Sequence, residues 1–307
     1  MDFFSKAKRL AKFIDKDKRF LYLASKGIYD GLSDEEYLKR KYHAVFHKDL
    51  DLDNPVTYNE KLQWLKLHDR KPIYISMVDK FEVKKYVAEL IGEKYIIPTL
   101  GLWDTFDKID FSSLPSQFVL KCTHDSGSVI ICKNKENFDY KTIKKKINTS
   151  LRRNFYYVGR EWPYKNIKPR IIAEEYIEDS KHKELRDYKF FCFNGVVKAM
   201  FIASDRQKEG EETKFDFFDA NFNHLNIKQG HPNSTVLPDK PEKLDEMKRM
   251  AETLSKNMPH VRVDFYEVNG KVYFGEYTFY HFSGMVPFEP EEWDYTFGSW
   301  LTLPDKK

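Results

Sequence analysis

The feature that most constrains this chain is an alternation of polar and apolar residues on both sides of a tight turn near its C-terminal end. His260-Val261-Arg262-Val263-Asp264-Phe265-Tyr266 alternates strictly, Asn269-Gly270 follows, and the pattern resumes from Lys271 to Phe279. A period of two marks half-buried strands, and Asn-Gly suits the left-handed turn that closes a two-residue hairpin. Pairing about that turn brings Asp264 and Glu276 close together, on a diagonal across the two strands.

Two carboxylates so placed repel unless something compensates. A hard divalent cation does so, and Mg2+ is usually held by one or two carboxylates together with substrate phosphates. The simpler alternative is a pair of solvated surface carboxylates. Against it, each acid is flanked by apolar residues and shares its face with Arg262 and Thr278.

Composition narrows the class. At 307 residues the chain is long enough for two or three coupled lobes. Apolar residues at 41% and charged residues at 33% describe a folding, soluble chain, and 16% aromatic residues give it large buried area per core position. A formal charge of +4 lacks the basic excess expected of a nucleic-acid-binding protein. Three cysteines, Cys122, Cys132 and Cys192, sit in apolar runs and read as reduced, buried thiols of a cytoplasmic protein. No signal peptide and no membrane-spanning run is expected. In residues 1–20, Phe3, Phe4, Leu10, Phe13 and Ile14 recur at helical spacing among lysines and an arginine. An ordinary surface helix is the simpler reading; weak contact with an anionic inner leaflet is the other.

Residues 1–94 read as a helical region. Ser33 with Glu36 and Thr57 with Glu60 have the form of capping boxes, opening helices from Asp34 to His43 and from Tyr58 to Leu67. A third helix is expected from Ser76 to Ile91. From Tyr95 onward the pattern is mixed. Phe118 to Cys122 and Ser128 to Cys132 form a hairpin around His124-Asp125-Ser126-Gly127, and a basic helix runs from Tyr140 to Arg153. Strands follow over Arg170–Tyr176, Tyr188–Phe193, Val196–Ala203 and Phe215–Asp219, with a helix from Lys240 to Asn257 and a polar, mobile loop from Ser204 to Thr213.

Other candidate site residues are weaker when taken singly. Lys121 ends an apolar strand before a turn rich in Ser and Gly, whose amides and hydroxyls can wrap a phosphate, although the Walker pattern is absent. Glu174-Glu175-Tyr176-Ile177 closes an apolar strand with carboxylates, as a simple edge strand also would. No Ser/His/Asp or Cys/His triad follows from order or spacing, and the nine histidines are scattered.

Together these segments resemble the ATP-grasp superfamily, and within it the branch related to the teichuronopeptide-biosynthesis protein TupA of bacterial polysaccharide gene clusters. The resemblance runs through Asn54-Pro55 and Thr57 to Trp64, Asp79-Lys80, Phe118 to His124 with Ser126-Gly127-Ser128, Glu174-Glu175-Tyr176, Asp187 to Phe190, Arg262 to Tyr266 and Phe274 to Phe279. It implies an α/β fold with an ATP-grasp core of two α+β lobes: a helical region over 1–94, a smaller lobe over 95–195, and a C-terminal lobe with the metal carboxylates over 196–307.

The resemblance also implies roles. Lys80 and Lys121 would hold ATP phosphates, His124, Ser126, Gly127 and Ser128 would form a lid over them, and Glu174, Glu175, Tyr176 and Ile177 would form the adenine hinge. Asp187 would bind ribose, Asp264 and Glu276 would ligate Mg2+, and Arg262 would stabilise an acyl-phosphate. Thr278 stands where most of the superfamily has a metal-binding asparagine; its hydroxyl can also ligate Mg2+. Lys189 and Arg206 are candidates for gripping an anionic acceptor. The implied activity is ATP-dependent carboxylate–amine ligation, with a uronic acid of a small-molecule or lipid-linked polysaccharide precursor as acid. The alternatives are a glycosyltransferase, for which Asp51-Leu52-Asp53 has the metal-motif form, and a non-catalytic ATP-binding module.

Overall fold

The computed structural model describes residues 15–180, 185–206 and 210–305. The basic segment expected to touch a membrane falls mostly on residues 1–14, outside the described residues, as does part of the polar loop after Ser204. No helix among the described residues is long and apolar enough to cross a membrane.

The described residues begin with five helices: α1 (Lys16–Ser25), α2 (Asp34–Phe46), α3 (Tyr58–His68), α4 (Ile73–Val78) and α5 (Glu82–Ile91). The Thr57 box is complete: its hydroxyl accepts from the Glu60 amide, and Glu60 reaches back to the Thr57 amide at 2.9 Å. At the other site only Ser33 caps, while Glu36 bonds Arg40 one turn on. The single helix expected from Ser76 to Ile91 is two. Asp79 breaks it, its Oδ1 accepting from the amides of Phe81 at 2.8 Å and Glu82 at 3.0 Å. An aspartate that satisfies orphan amides favours a new helix start over continuation. The break sets the adjoining Lys80 beside the loop that follows Cys122, and its amide donates to Thr123 O.

Four strands, β1 (Thr99–Trp103), β2 (Phe118–Cys122), β3 (Ile130–Cys132) and β4 (Ile171–Glu175), form an antiparallel sheet in the order β1-β4-β2-β3. Helix α6 (Tyr140–Leu151) covers one face, over a core that includes Phe118, Leu120, Phe138, Ile147 and Ile171. Strand β1 has no alternating signature, because its pairing slips between Thr99 and Gly101. A Cβ at Gly101 would collide with the Trp103 ring at 2.2 Å, so that position admits no side chain. A short helix α7 (Tyr156–Gly159) follows α6.

The second sheet has six antiparallel strands in the order β10-β9-β5-β6-β7-β8, where β5 is Asp187–Phe193, β6 Val196–Ser204, β7 Lys214–Asp219, β8 His224–Leu225, β9 His260–Val268 and β10 Lys271–Thr278. Residues 187–193 were grouped with the smaller lobe on sequence. They pair instead with β6 and β9, so Asn194-Gly195 is a hairpin turn inside one sheet, not a junction between two lobes.

Helix α8 (Leu244–Leu254) lies on the face that carries Val261, Val263 and Phe265. The opposite face meets α3, while α5 packs against α8. Tyr58 of α3 packs edge-on against Phe191 and Phe193, and its hydroxyl bonds His260 at 2.9 Å. Helix α9 (Glu292–Trp300) closes over α3 so tightly that a Cβ at Gly298 would meet Val56 O at 2.3 Å. Lys61 donates to the carbonyls of Gly298 and Leu301, satisfying the end of α9. The helical region therefore shares the larger sheet's core and does not form a layer of its own.

Candidate active site

Between the two sheets lie adjoining cavities of about 390 and 250 Å³ that share Lys121, Val129, Glu174, Arg206 and Tyr266 as walls. The larger is a slot with Val119, Ile131, Tyr176 and Ile177 among its walls. The smaller is polar, edged by Lys80, Lys84, Ser126, Gly127, Asp187 and Glu276. A slot with apolar side chains among charged ones, opening into a lysine-edged end, suits a nucleotide, base in the slot and phosphates at the cations.

The cationic end is ordered by one buried carboxylate. Glu174 Oε1 meets Lys84 Nζ at 2.6 Å and Oε2 meets Lys121 Nζ at 2.5 Å. Burial raises the Glu174 carboxyl, but the Lys121 and Lys84 charges outweigh it and hold it below the usual carboxylate range. Burial lowers the Lys84 ammonium, and Glu174 offsets only part of that. Both Glu174 oxygens thus serve lysines, a partnership that the expected adenine role did not include. Glu175, Tyr176 and Ile177 do line the slot, and residues 176–177 lie past the end of β4, outside the strand ladder. Lys84 was missed on sequence, where it reads as one more lysine of a charged helix.

The loop after β2 divides into two jobs. Ser126 and Gly127 line the polar cavity. His124 and Ser128 do not, which corrects their assignment to the phosphates. His124 is buried with Nε2 against Ser150 O at 3.1 Å, and Ser128 Oγ donates to Asp125 and accepts from the Cys122 amide. Lys80 Nζ ties the loop down from α5's side by donating to Asp125 O.

On the larger sheet, Asp187, Lys189, Arg262, Asp264 and Tyr266 share one face, because Lys189 stands opposite Asp264 and Asp187 opposite Tyr266. Counting back from the Val268–Lys271 pair, Asp264 should face Gly275. A bulge between Phe274 and Glu276 adds one position and makes Glu276 the direct partner of Asp264. The diagonal relationship expected from sequence is corrected to a direct one. Bulges commonly re-aim side chains beside active sites. Gly275 permits this one, since a Cβ there would lie 3.1 Å from Asp264 O.

Asp264 is buried and heavily engaged. Arg262 grips it with Nε at 2.7 Å from Oδ1 and Nη2 at 2.7 Å from Oδ2, and Lys189 also donates to Oδ2. Burial raises the Asp264 carboxyl, yet Arg262 and Lys189 overcome that and keep it ionised. Burial depresses the Lys189 ammonium in turn, with Asp264 opposing. Thr278 Oγ1 accepts from Arg262 Nη2 at 2.9 Å and keeps a second lone pair. The remaining Arg262 nitrogen meets His281 Nδ1 at 2.5 Å. Arginine only donates, so Nδ1 accepts and Nε2 carries the proton toward Gln229 Oε1 at 3.1 Å. Burial and Arg262 hold His281 far below its usual range, consistent with a neutral ring.

Arg262 lines neither cavity and acts on Asp264, Thr278 and His281. Lys189 and Arg206 line the polar cavity beside Asp187. Asp187 Oδ2 lies against the Arg206 guanidinium without a well-angled hydrogen bond, leaving it able to accept from a hydroxyl. Asp51 Oδ1 caps the amides of Asp53 and Asn54, so the Asp-Leu-Asp segment is a turn.

The donor set also tests the fit of Mg2+. Among the described residues no group of three or more His, Cys, Asp or Glu could hold a metal ion. Glu276 has its side chain 44% exposed, with Arg262 3.6 Å away. Asp264 Oδ1 accepts from Arg262 Nε alone and keeps a lone pair. The charges of Asp264 and Glu276 are balanced by Arg262 and Lys189, so the site fits a cation that arrives with phosphates, not a free one.

With that cleft described, the family follows. Residues 60–302 match the family described as TupA-like ATP-grasp, and the chain belongs to that family. No curated protein matches it. Similar solved structures include D-alanine–D-alanine ligase from Bacillus anthracis, at 13% identity over 86% of this chain and 83% of that one, TM-score 0.42. The same ligase complexed with ATP gives 15% identity over 66% of this chain and 56% of that one, TM-score 0.38. The ATP-grasp ligase PsnB, complexed with minimal precursor, Mg and ADP, gives 9% identity over 83% and 65%, TM-score 0.39. The chain thus spans less than two thirds of the ATP-complexed ligase and of PsnB. Likenesses this distant carry no argument beyond the family match.

Proposed function

We propose that the chain is an ATP-dependent carboxylate–amine ligase acting through an acyl-phosphate, with the uronic acid of a polysaccharide precursor as the acid. The observation that carries the ATP-dependent part is the apolar slot leading to Lys80, Lys84, Lys121, Lys189 and Arg206 opposite Glu276. A carboxylate is a poor electrophile; phosphorylation gives it a leaving group, and an amine then displaces orthophosphate. What the protein must supply is orientation and positive charge where the transferring phosphoryl group sits.

In this reading Tyr176 and Ile177 bound the base and Asp187 accepts from ribose. Lys121 and Lys80 hold the phosphates under the Ser126-Gly127 loop. Asp264 and Glu276 would hold Mg2+, which when bound neutralises phosphate charge. Arg262 positions Asp264, and Lys189 can turn from Asp264 toward a phosphate. The uronate and its carriage on a lipid rest on family resemblance, as does reaction in the cytoplasm, where ATP is at hand.

Purified protein incubated with ATP, uronate sugars and amines tests the reaction. ADP and orthophosphate released only when acid and amine are both present support it. With an oxygen-18-labelled acid, one label must appear in the orthophosphate. Label confined to the acid and product contradicts the acyl-phosphate, and nucleotide binding without turnover across the panel would favour a non-catalytic module.

A further inference from the structure

A second cavity, of about 660 Å³, opens between α1, α2 and the segment after α6, and shares no wall residue with the nucleotide cleft. Four cations line it: Lys26, Lys41, Arg152 and Arg153. Among the described residues the only carboxylate in its walls is Asp30, and none of the four cations forms an ion pair. Arg152 and Arg153 follow the C-terminus of α6, where the helix dipole favours cations. That accounts for two of them. It does not account for Lys41, which is mostly buried, donates to Val158 O at 2.6 Å and touches no carboxylate.

Burial lowers the Lys41 ammonium, Glu161 behind it opposes this and Arg160 adds to it. Beneath the aromatic wall Arg160 is already met by Asp34 at 3.9 Å and by the carbonyls of Tyr29 and Asp30, so the open charge is that of the four wall cations. Arg160 is buried 4.5 Å from the Tyr37 ring centre and 5.1 Å from that of Tyr157, and both tyrosines line the cavity. A half-desolvated cation in a cavity with three others is costly unless an anion completes it.

We propose that this cavity binds a diphosphate ester, its two phosphoryl groups among Lys26, Lys41, Arg152 and Arg153 and its organic part against Tyr157. Charge decides between anions. Four cations against one aspartate call for a polyanion, where a lone carboxylate would leave most of them unmatched. Paired arginines suit phosphoryl oxygens, which they can grip bidentately. The volume is that of a small-molecule site and leaves room beyond two phosphates, and the exposed Tyr157 ring offers a flat surface. The site stands apart from the nucleotide cleft and does not depend on the reaction proposed above.

Calorimetry with inorganic pyrophosphate, on full-length protein presaturated with Mg-ADP, tests it. Pyrophosphate should still bind, with affinity falling as salt rises. Arg152→Gln and Arg153→Gln, both at exposed positions, should each weaken it about tenfold or more. Competition by a nucleoside diphosphate sugar would identify a soluble carrier, and competition by a short prenyl diphosphate in detergent a lipid one. No binding to the ADP-saturated protein, equal affinity in the arginine variants, or competition by neither ester would each overturn the proposal.

Discussion

Asp264 and Glu276 are direct cross-strand partners because β10 takes one extra residue, Gly275, between Phe274 and Glu276. In an unbulged hairpin Glu276 would pair with Val263, whose side chain lies in the core on the far side of the sheet. One glycine therefore decides whether the two acids meet in the cleft. Gly275→Ala places a Cβ 3.1 Å from Asp264 O and 3.3 Å from the Tyr266 ring. We expect a stability loss of about 1–2 kcal/mol with a much larger fall in ATP-dependent turnover. Thermal melts and product assays on the same preparation check this; loss of both in proportion would make the bulge merely structural.

Lys84 is predicted to matter through Glu174. Lys84→Met leaves a buried carboxylate with Lys121 as its sole cationic partner, at a cost of about 1–3 kcal/mol. In Lys84→Met/Glu174→Gln the loss should be smaller than the sum of the single losses, because the second change removes the charge the first one strands. A denaturant double-mutant cycle reads this coupling, and strict additivity would refute it.

Mg2+ alone is predicted not to stabilise the protein. The two acids are already balanced by Arg262 and Lys189, so the cation needs phosphates to complete its shell. Melting temperatures with Mg2+, with ATP and with both should show a large rise only for the last. A rise with Mg2+ alone would mean a preformed metal site.

Asp294 gives a pH prediction. Burial pushes its carboxyl up to about 6 from 3.8, Asn59 hydrogen bonds opposing and the charges of Glu60 and Glu291 assisting. The native state then holds this proton more tightly than the unfolded one. The group's contribution is present in full below pH 3.8 and is lost as pH rises through about 6, on the order of 3 kcal/mol. Asp294→Asn should fold, since the unpartnered Asn59 Oδ1 can turn to accept from the new amide. The stability difference, wild type minus variant, should fall between pH 4 and 6 and stay level above; a flat difference would refute the assignment.

The hairpin, the hinge strand and the helix caps were legible because each rests on local chemistry: alternation, an Asn-Gly turn, a hydroxyl three residues before a glutamate. What escaped depends on register or on partners distant in sequence. Strand β1 was hidden by its slip at Gly101, the helix break by an aspartate that caps in place of continuing, and the bulge by a glycine that alternation treats as one more position. Lys84 and Tyr266 gain meaning only when the two sheets meet. Family resemblance named the residues that line the cleft, but not which carboxylates lysines and arginine already hold. His124 and Ser128 were placed at the phosphates because their partners, Ser150 O and Asp125, emerge only in the fold.

The central claim is that Mg-ATP binds between the two sheets with its phosphates at Lys121, and titration calorimetry of Mg-ATP into wild type, Lys121→Ala and Glu276→Gln tests it most directly. Lys121 lies at the junction of slot and polar cavity, and its removal takes a charge-assisted bond from the phosphates. The account predicts saturable binding to wild type, weakening by about tenfold or more in Lys121→Ala, and loss of the Mg2+ dependence of binding in Glu276→Gln. Unchanged Mg-ATP affinity in both variants would contradict it.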